Sequence, residues 1–68
     1  MKIFGERLRE LRNEKGLSAM ELAKATNLSD ASIINWENNK HDITAENIVK
    51  LAKFFEVSAD YLLGLTEH

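Results

Sequence analysis

Apolar side chains recur along this chain at intervals of three and four residues, with charged and amide side chains filling the positions between them. Phe4, Leu8 and Leu11 fall at i, i+4 and i+7 among Arg7, Arg9, Glu10, Arg12 and Glu14, which predicts an amphipathic helix ending at Gly16. Leu22 and Ala23 form the inner side of a second, short helix opened by Ser18, with Glu21 at the reciprocal capping-box spacing. Thr26-Asn27-Leu28 then makes a tight connection, in which Asn27 tolerates positive φ and Leu28 points inward. A third helix starts at Ser29. Ile33 and Trp36, one turn apart, enter the core, and Asn39 takes the left-handed conformation that stops the helix. Thr44 caps a fourth helix whose apolar set is Ile48, Leu51, Ala52 and Phe55, and Ser58 caps a last short one that carries Tyr61 and Leu62 inward and ends at Gly64. No alternating apolar run, Asn-Gly hairpin or proline signals a strand or a break, and no internal repeat or linker divides the chain. The expectation is an all-α fold: a single compact five-helix domain over residues 1–68.

The third segment is built with two different faces. Opposite Ile33 and Trp36 lies a narrow stripe of small or hydrogen-bonding side chains, Asp30, Ala31, Ile34, Asn35 and Asn38, whose width suits the major groove of DNA. Two short helices joined by a tight turn, the second with such a face, form the helix-turn-helix arrangement. In it the second helix enters the groove and the first lies across the backbone.

Composition narrows the alternatives. A chain of 68 residues buries only about 60% of its unfolded surface, so an elaborate active-site cleft is not expected. Cysteine is absent, which removes disulfides and thiolate metal sites together. The two histidines, His41 and His68, lie far apart in a loop and at the terminus, so neither metal nor cofactor is implied. No long uncharged apolar run suggests a membrane span, and Met1-Lys2-Ile3-Phe4-Gly5-Glu6 lacks the apolar core of a signal peptide; the cytoplasm is the expected compartment. An enzyme is not expected, because there is no acid–base pair, nucleophile–base arrangement, glycine-rich phosphate loop or recognisable small-molecule substrate site. Nine basic against eleven acidic residues give a net charge of −2. A DNA binder with that balance relies on locally placed cations and helix N-termini, since the field of the whole molecule does not attract phosphate.

Leu17-Ser18-x-x-Glu21-Leu22-Ala23, Leu28-Ser29-x-x-x-Ile33, Trp36-Glu37-Asn38, Leu51-Ala52 and Val57-Ser58-x-x-Tyr61-Leu62-Leu63-Gly64 together resemble the Xre family, the Cro and lambda-repressor-like helix-turn-helix domains of phage and bacterial regulators. The resemblance runs from about Phe4 to Gly64. It implies a lambda-repressor-like fold with the helix-turn-helix formed by helices 2 and 3, and a sequence-specific repressor or other transcriptional regulator that binds double-stranded DNA. It also implies a homodimer on a palindromic operator, and no catalysis. Carried over by position, it places Asp30, Ala31, Ile34 and Asn35 toward the bases from a reading helix at about 29–38. It places Ser18, Ala19, Ser32, Asn38 and Lys40 toward the DNA backbone, and makes Arg12 and Glu37 an ion pair between the first and third helices, beside phosphate. Departures from the family pattern concentrate on the DNA-facing side: Ala19 stands where glutamine is common, Met20 and Ile34 where the family is polar, and Asp30 and Ala31 at the early reading positions. Asn39 replaces the usual glycine and Ile43 a common proline. Asp30 suits cytosine N4, Ala31 or Ile34 a thymine methyl, and Asn35 is the best remaining base reader.

Several of these residues have plainer readings. Trp36 is taken as a core aromatic rather than a base-stacking one. Arg7, Arg9 and Lys15 alternate with Glu6, Glu10 and Glu14, so they read as a solvated, salt-bridged face, and Arg12 alone is counted as a site residue. Lys40 is a phosphate contact, and His41 has no role. Ala19, Met20, Ala31 and Ile34 support an alternative, an apolar patch for a protein partner, unless Met20 and Ile34 fold down onto neighbouring helices. Leu63 and Leu65 flank the last helix stop, where Tyr61 and Leu62 already serve the core. At least one of them is therefore available to a second copy of the chain near a symmetry axis.

Overall fold

In the computed structural model, which describes residues 2–67, the second to fifth helices each begin at a side-chain cap, and all five end at a left-handed residue. The order is α1 (Lys2–Glu14), α2 (Ala19–Thr26), α3 (Asp30–Glu37), α4 (Ala45–Phe55) and α5 (Ala59–Leu63). Ser18, Ser29, Thr44 and Ser58 each adopt extended backbone and accept the N–H three residues on, at Glu21, Ser32, Asn47 and Tyr61. The stops are equally uniform. Gly16, Asn27, Asn39, Glu56 and Gly64 all have positive φ, between 57° and 82°. The amide after each of them bonds back to the carbonyl five residues earlier, as in Leu17 to Arg12, Leu28 to Ala23, Lys40 to Asn35, Val57 to Ala52 and Leu65 to Asp60.

This repeated stop throws the following side chain back toward the core. Leu17, Leu28 and Val57 pack against it in that way, whereas Lys40 and Leu65 stay exposed. The core itself comprises Phe4, Leu8, Leu22, Ala23, Ile33, Trp36, Ile48, Leu51, Ala52, Phe55 and Leu62. Phe4 meets Trp36 edge-on at 6.3 Å between ring centroids, joining α1 to α3. Met1 and His68 lie outside the described residues.

The last helix departs from expectation. Leu62 is buried, but Tyr61 is only half-buried, and Leu63 packs against the core in its place. At 3.6 residues per turn, Ala59, Leu62 and Leu63 share one face and Tyr61 stands beside it. The Tyr61 ring lies instead under the Arg7 guanidinium, 4.2 Å from its carbon, and Arg7 Nη1 donates to the carbonyls of Tyr61 and Thr66. Leu63 is therefore mostly spent on the core, which leaves Leu65, 73% exposed, as the free member of the expected pair.

Gly5 fixes the distance between α1 and α3. A Cβ there would come within 2.6 Å of the Trp36 carbonyl oxygen and 2.7 Å of Asn39 Oδ1. At an open helical site, glycine to alanine gains up to about 1 kcal/mol. Here the forced separation of the helices outweighs that gain, and Gly5→Ala is expected to destabilise by about 1–3 kcal/mol. A thermal melt in which the variant unfolds above the parent would contradict this close approach.

Candidate nucleic-acid interface

The N-termini of the second and third helices are capped by short-range bonding. Ser18 Oγ accepts the Glu21 N–H at 3.1 Å and Glu21 Oε1 accepts the Ser18 N–H at 2.8 Å, the full capping box. That backbone N–H holds the Glu21 carboxyl below its ordinary range. The reciprocal cap therefore persists through the ordinary carboxylate range and is lost only as pH falls through the lowered value beneath it. In α3, Ser29 Oγ accepts the Ser32 N–H at 3.1 Å and donates to Ser32 Oγ at 2.8 Å, while Asp30 Oδ1 accepts the Ala31 N–H at 3.0 Å. The Asp30 charge thus complements the N-terminus of its own helix.

Around α3 the burial pattern is two-sided. Ile33, Trp36 and Glu37 are buried; Asp30, Ala31, Ile34 and Asn38 are exposed; Ser32 and Asn35 are half-buried. All of the residues expected to face bases thus reach the surface of one short helix. On α2, Ser18 is exposed, but Ala19 is half-buried against the core, so it contributes little to an apolar patch. Met20 and Ile34 do not fold down. They remain 57% and 47% exposed. Lys40 is exposed just beyond the helix stop, and its own N–H is committed to the Asn35 carbonyl at 2.8 Å.

Arg12 and Glu37 meet as expected. Arg12 Nε and Nη2 donate to the two carboxylate oxygens of Glu37 at 2.7 and 2.8 Å, and Nη1 caps the Leu17 carbonyl at 2.8 Å. The Glu37 bonds keep the guanidinium even more firmly protonated than usual. With 17% and 5% of their side chains exposed, the two groups tie α1, the turn before α2 and the end of α3 into one unit.

The expected salt-bridged face of α1 is different in detail. Among the described residues, the ion pairs within 4 Å run from Arg9 and Arg12 to Glu37, and none joins α1's arginines to its own glutamates. Arg9 Nε lies 3.3 Å from Glu37 Oε1, and its Nη2 donates to the Glu37 carbonyl at 3.4 Å and to Asn38 Oδ1 at 3.1 Å. Arg9 sits three residues before Arg12. That spacing puts both on the side of α1 that meets α3, and it was the available signal for a residue that charge alternation concealed.

No described helix is long and apolar enough to cross a membrane, and no group of three or more described His, Cys, Asp or Glu residues could hold a metal ion; His68 lies outside that set.

Comparison with known proteins matches this arrangement. A family model of the helix-turn-helix domain covers residues 5–67. The HTH-type transcriptional regulator ImmR of Bacillus subtilis is 35% identical over 64 residues, 94% of this chain and 50% of its own length. The c2 repressor of Salmonella phage P22, solved in complex with a synthetic operator, superposes with a TM-score of 0.84 at 31% identity, over 91% of this chain and 94% of that one. The restriction-modification controller protein C.AhdI of Aeromonas hydrophila gives a TM-score of 0.82 at 36% identity, over 90% of this chain and 92% of its own. This chain spans between 12% and 58% of the length of the curated relatives it matches.

Proposed function

The chain belongs to the helix-turn-helix domain family, in its Xre and lambda-repressor-like branch, and from that premise we propose that it is a sequence-specific DNA-binding transcriptional regulator, a repressor, working in the cytoplasm. That family is one of regulators and not an enzyme class. The observation that carries the reading is the two-sidedness of α3: Ile33, Trp36 and Glu37 lock it down while Asp30, Ala31, Ile34 and Asn35 stand on its free side. A rigid helix presenting short side chains can approach the base edges of a major groove closely.

On this reading Asn35 donates to and accepts from a base edge, and Ala31 and Ile34 contact thymine methyls. Asp30 accepts from cytosine N4 with the oxygen not held by the Ala31 amide. Ser18, Ser32, Asn38, Lys40 and the remaining N–H groups of Arg12 face phosphates. Ala19, with no polar side-chain atom, contributes its backbone N–H at the open end of α2. The exposure of Met20 and Ile34 also fits a protein partner, but Ala19 lies against the core, so that patch is small.

The regulator is further proposed to act as a homodimer on a palindromic operator. At the other apolar stop positions the side chain after the left-handed residue closes onto the core, whereas Leu65 is 73% exposed among the described residues. Beside it lies Ile3, 49% exposed, whose Cγ2 is 2.7 Å from where a Cβ on Gly64 would be. A two-fold axis at this corner covers both residues with their copies.

Selecting bound sequences from a random duplex pool and measuring variants on the selected site tests the base and backbone assignments. Asn35→Ala is expected to cost roughly 1–3 kcal/mol on that site and to relax preference at one base position. Lys40→Ala is expected to weaken selected and random duplexes alike and to lower the salt slope by about 1. If both variants behaved identically on the two kinds of DNA, the reading of bases and the anchoring on phosphates would be wrongly assigned.

A further inference from the structure

We propose that Arg9 is a phosphate-contacting residue of the DNA interface, held in position by Glu37 and Asn38; the inference rests on the DNA-binding reading above. Its basis is a charge imbalance at the α1–α3 junction. One carboxylate, Glu37, faces two guanidinium groups, and the two are not equivalent. Arg12 approaches to 2.7 and 2.8 Å, occupies both carboxylate oxygens, commits its third nitrogen to the Leu17 carbonyl and has 17% of its side chain exposed. It neutralises Glu37. Arg9 shares Oε1 at the longer distance of 3.3 Å and has 51% of its side chain exposed. The cluster therefore carries one uncompensated positive charge, and that charge is on Arg9.

The side chain is also aimed. Nε and Nη2 are held on the inner side by Glu37 and Asn38, while Nη1 has no partner among the described residues. A guanidinium already fixed in this way loses little conformational freedom when its free edge takes a phosphate oxygen. Its neighbours are the right ones, since Asn38 is the acceptor for Nη2 and Lys40 follows two residues later. In a protein of net charge −2, a fixed cation at this point offsets the absence of a general attraction for phosphate. Glu6 and Glu10, which a helix surface of alternating charge would pair with Arg9, take no part in its ion pairing.

The test is the salt dependence of duplex binding for the parent, Arg9→Ala, Arg9→Gln and Arg9→Lys, with Lys53→Ala on α4 as control and thermal melts to establish that each variant is folded. Arg9→Ala and Arg9→Gln are expected to bind selected and random duplexes roughly tenfold more weakly, with the salt slope reduced by about 1. Arg9→Lys keeps the slope, because it keeps the charge, and Lys53→Ala keeps both slope and affinity. Arg9→Gln serves where the alanine variant melts too low to assay, since its amide can still bond Glu37. A parent that binds DNA with the same slope as folded Arg9→Ala or Arg9→Gln overturns the assignment of Arg9 alone. A parent with no affinity for duplex overturns the DNA-binding reading and this inference with it.

Discussion

Glu37→Ala is expected to destabilise the domain strongly, by about 3–5 kcal/mol. That is the cost of removing one partner of a buried ion pair, because the other charge stays buried without compensation. Here the loss strands Arg12, with 17% of its side chain exposed, and also removes the anchor of Arg9. A chain of 68 residues has a total stability on the order of 3–10 kcal/mol, so the loss is a large fraction of it. Glu37→Gln is expected to be milder, because the amide oxygen still accepts from Arg12 while the charge is gone. Circular dichroism melts of the two variants check this. An alanine variant melting within a few degrees of the parent would mean that the bridge contributes little to holding α1 against α3.

Leu65→Glu is expected to leave the monomer folded and to weaken binding to a palindromic duplex by about 100-fold or more, with little change on an isolated half-site. Folding is spared because Leu65 is 73% exposed. The loss on the full site is that of joint binding, in which one copy raises the effective concentration of the second; such coupling is worth roughly 10²–10⁴-fold. The geometry requires two reading helices about 34–36 Å apart, roughly one turn of B-DNA. Sedimentation of the protein–duplex complex gives the number of copies bound. A parent that sediments as one copy per duplex, or a variant binding the palindrome as tightly as the parent, would contradict both the dimer and its location.

Most of the fold was legible because its signals are local. Serine or threonine at four of the five starts, and glycine or asparagine at four of the five stops, act within one turn of helix, and a single chain displays them directly. Glu56 was not legible: its φ of 57° is imposed by Val57 closing onto the core, a tertiary demand on a residue with no preference for that conformation. Gly5 was missed for the same kind of reason, since nothing around it in sequence announces that α3 passes within contact of its backbone. Leu63 took the inward place expected of Tyr61 because a helix as short as α5 leaves the direction of its inner face to its neighbours.

At the interface the exposed stripe of α3 followed from periodicity, and the Arg12–Glu37 bridge from resemblance. Arg9 did not follow. Charge alternation along α1 suggested pairs within the helix, and only the position of Glu37 across the junction decides otherwise. Met20 and Ile34 could have turned either way on sequence grounds, and their exposure depends on how α2 and α3 sit on the core.

On the proposed function, α2 and α3 hold this chain on duplex DNA by sequence and by phosphate contact together. Fluorescence anisotropy of a labelled duplex, selected from a random pool and titrated at salt concentrations between about 50 and 200 mM, tests it most directly. Binding is expected to be saturable and tighter on the selected than on a random duplex, with log affinity falling linearly in log salt. For the six to ten phosphates of a bound dimer the fall over that range is roughly 10³–10⁵-fold. Affinity that is indifferent to salt, or equal on selected and random duplexes, would contradict it.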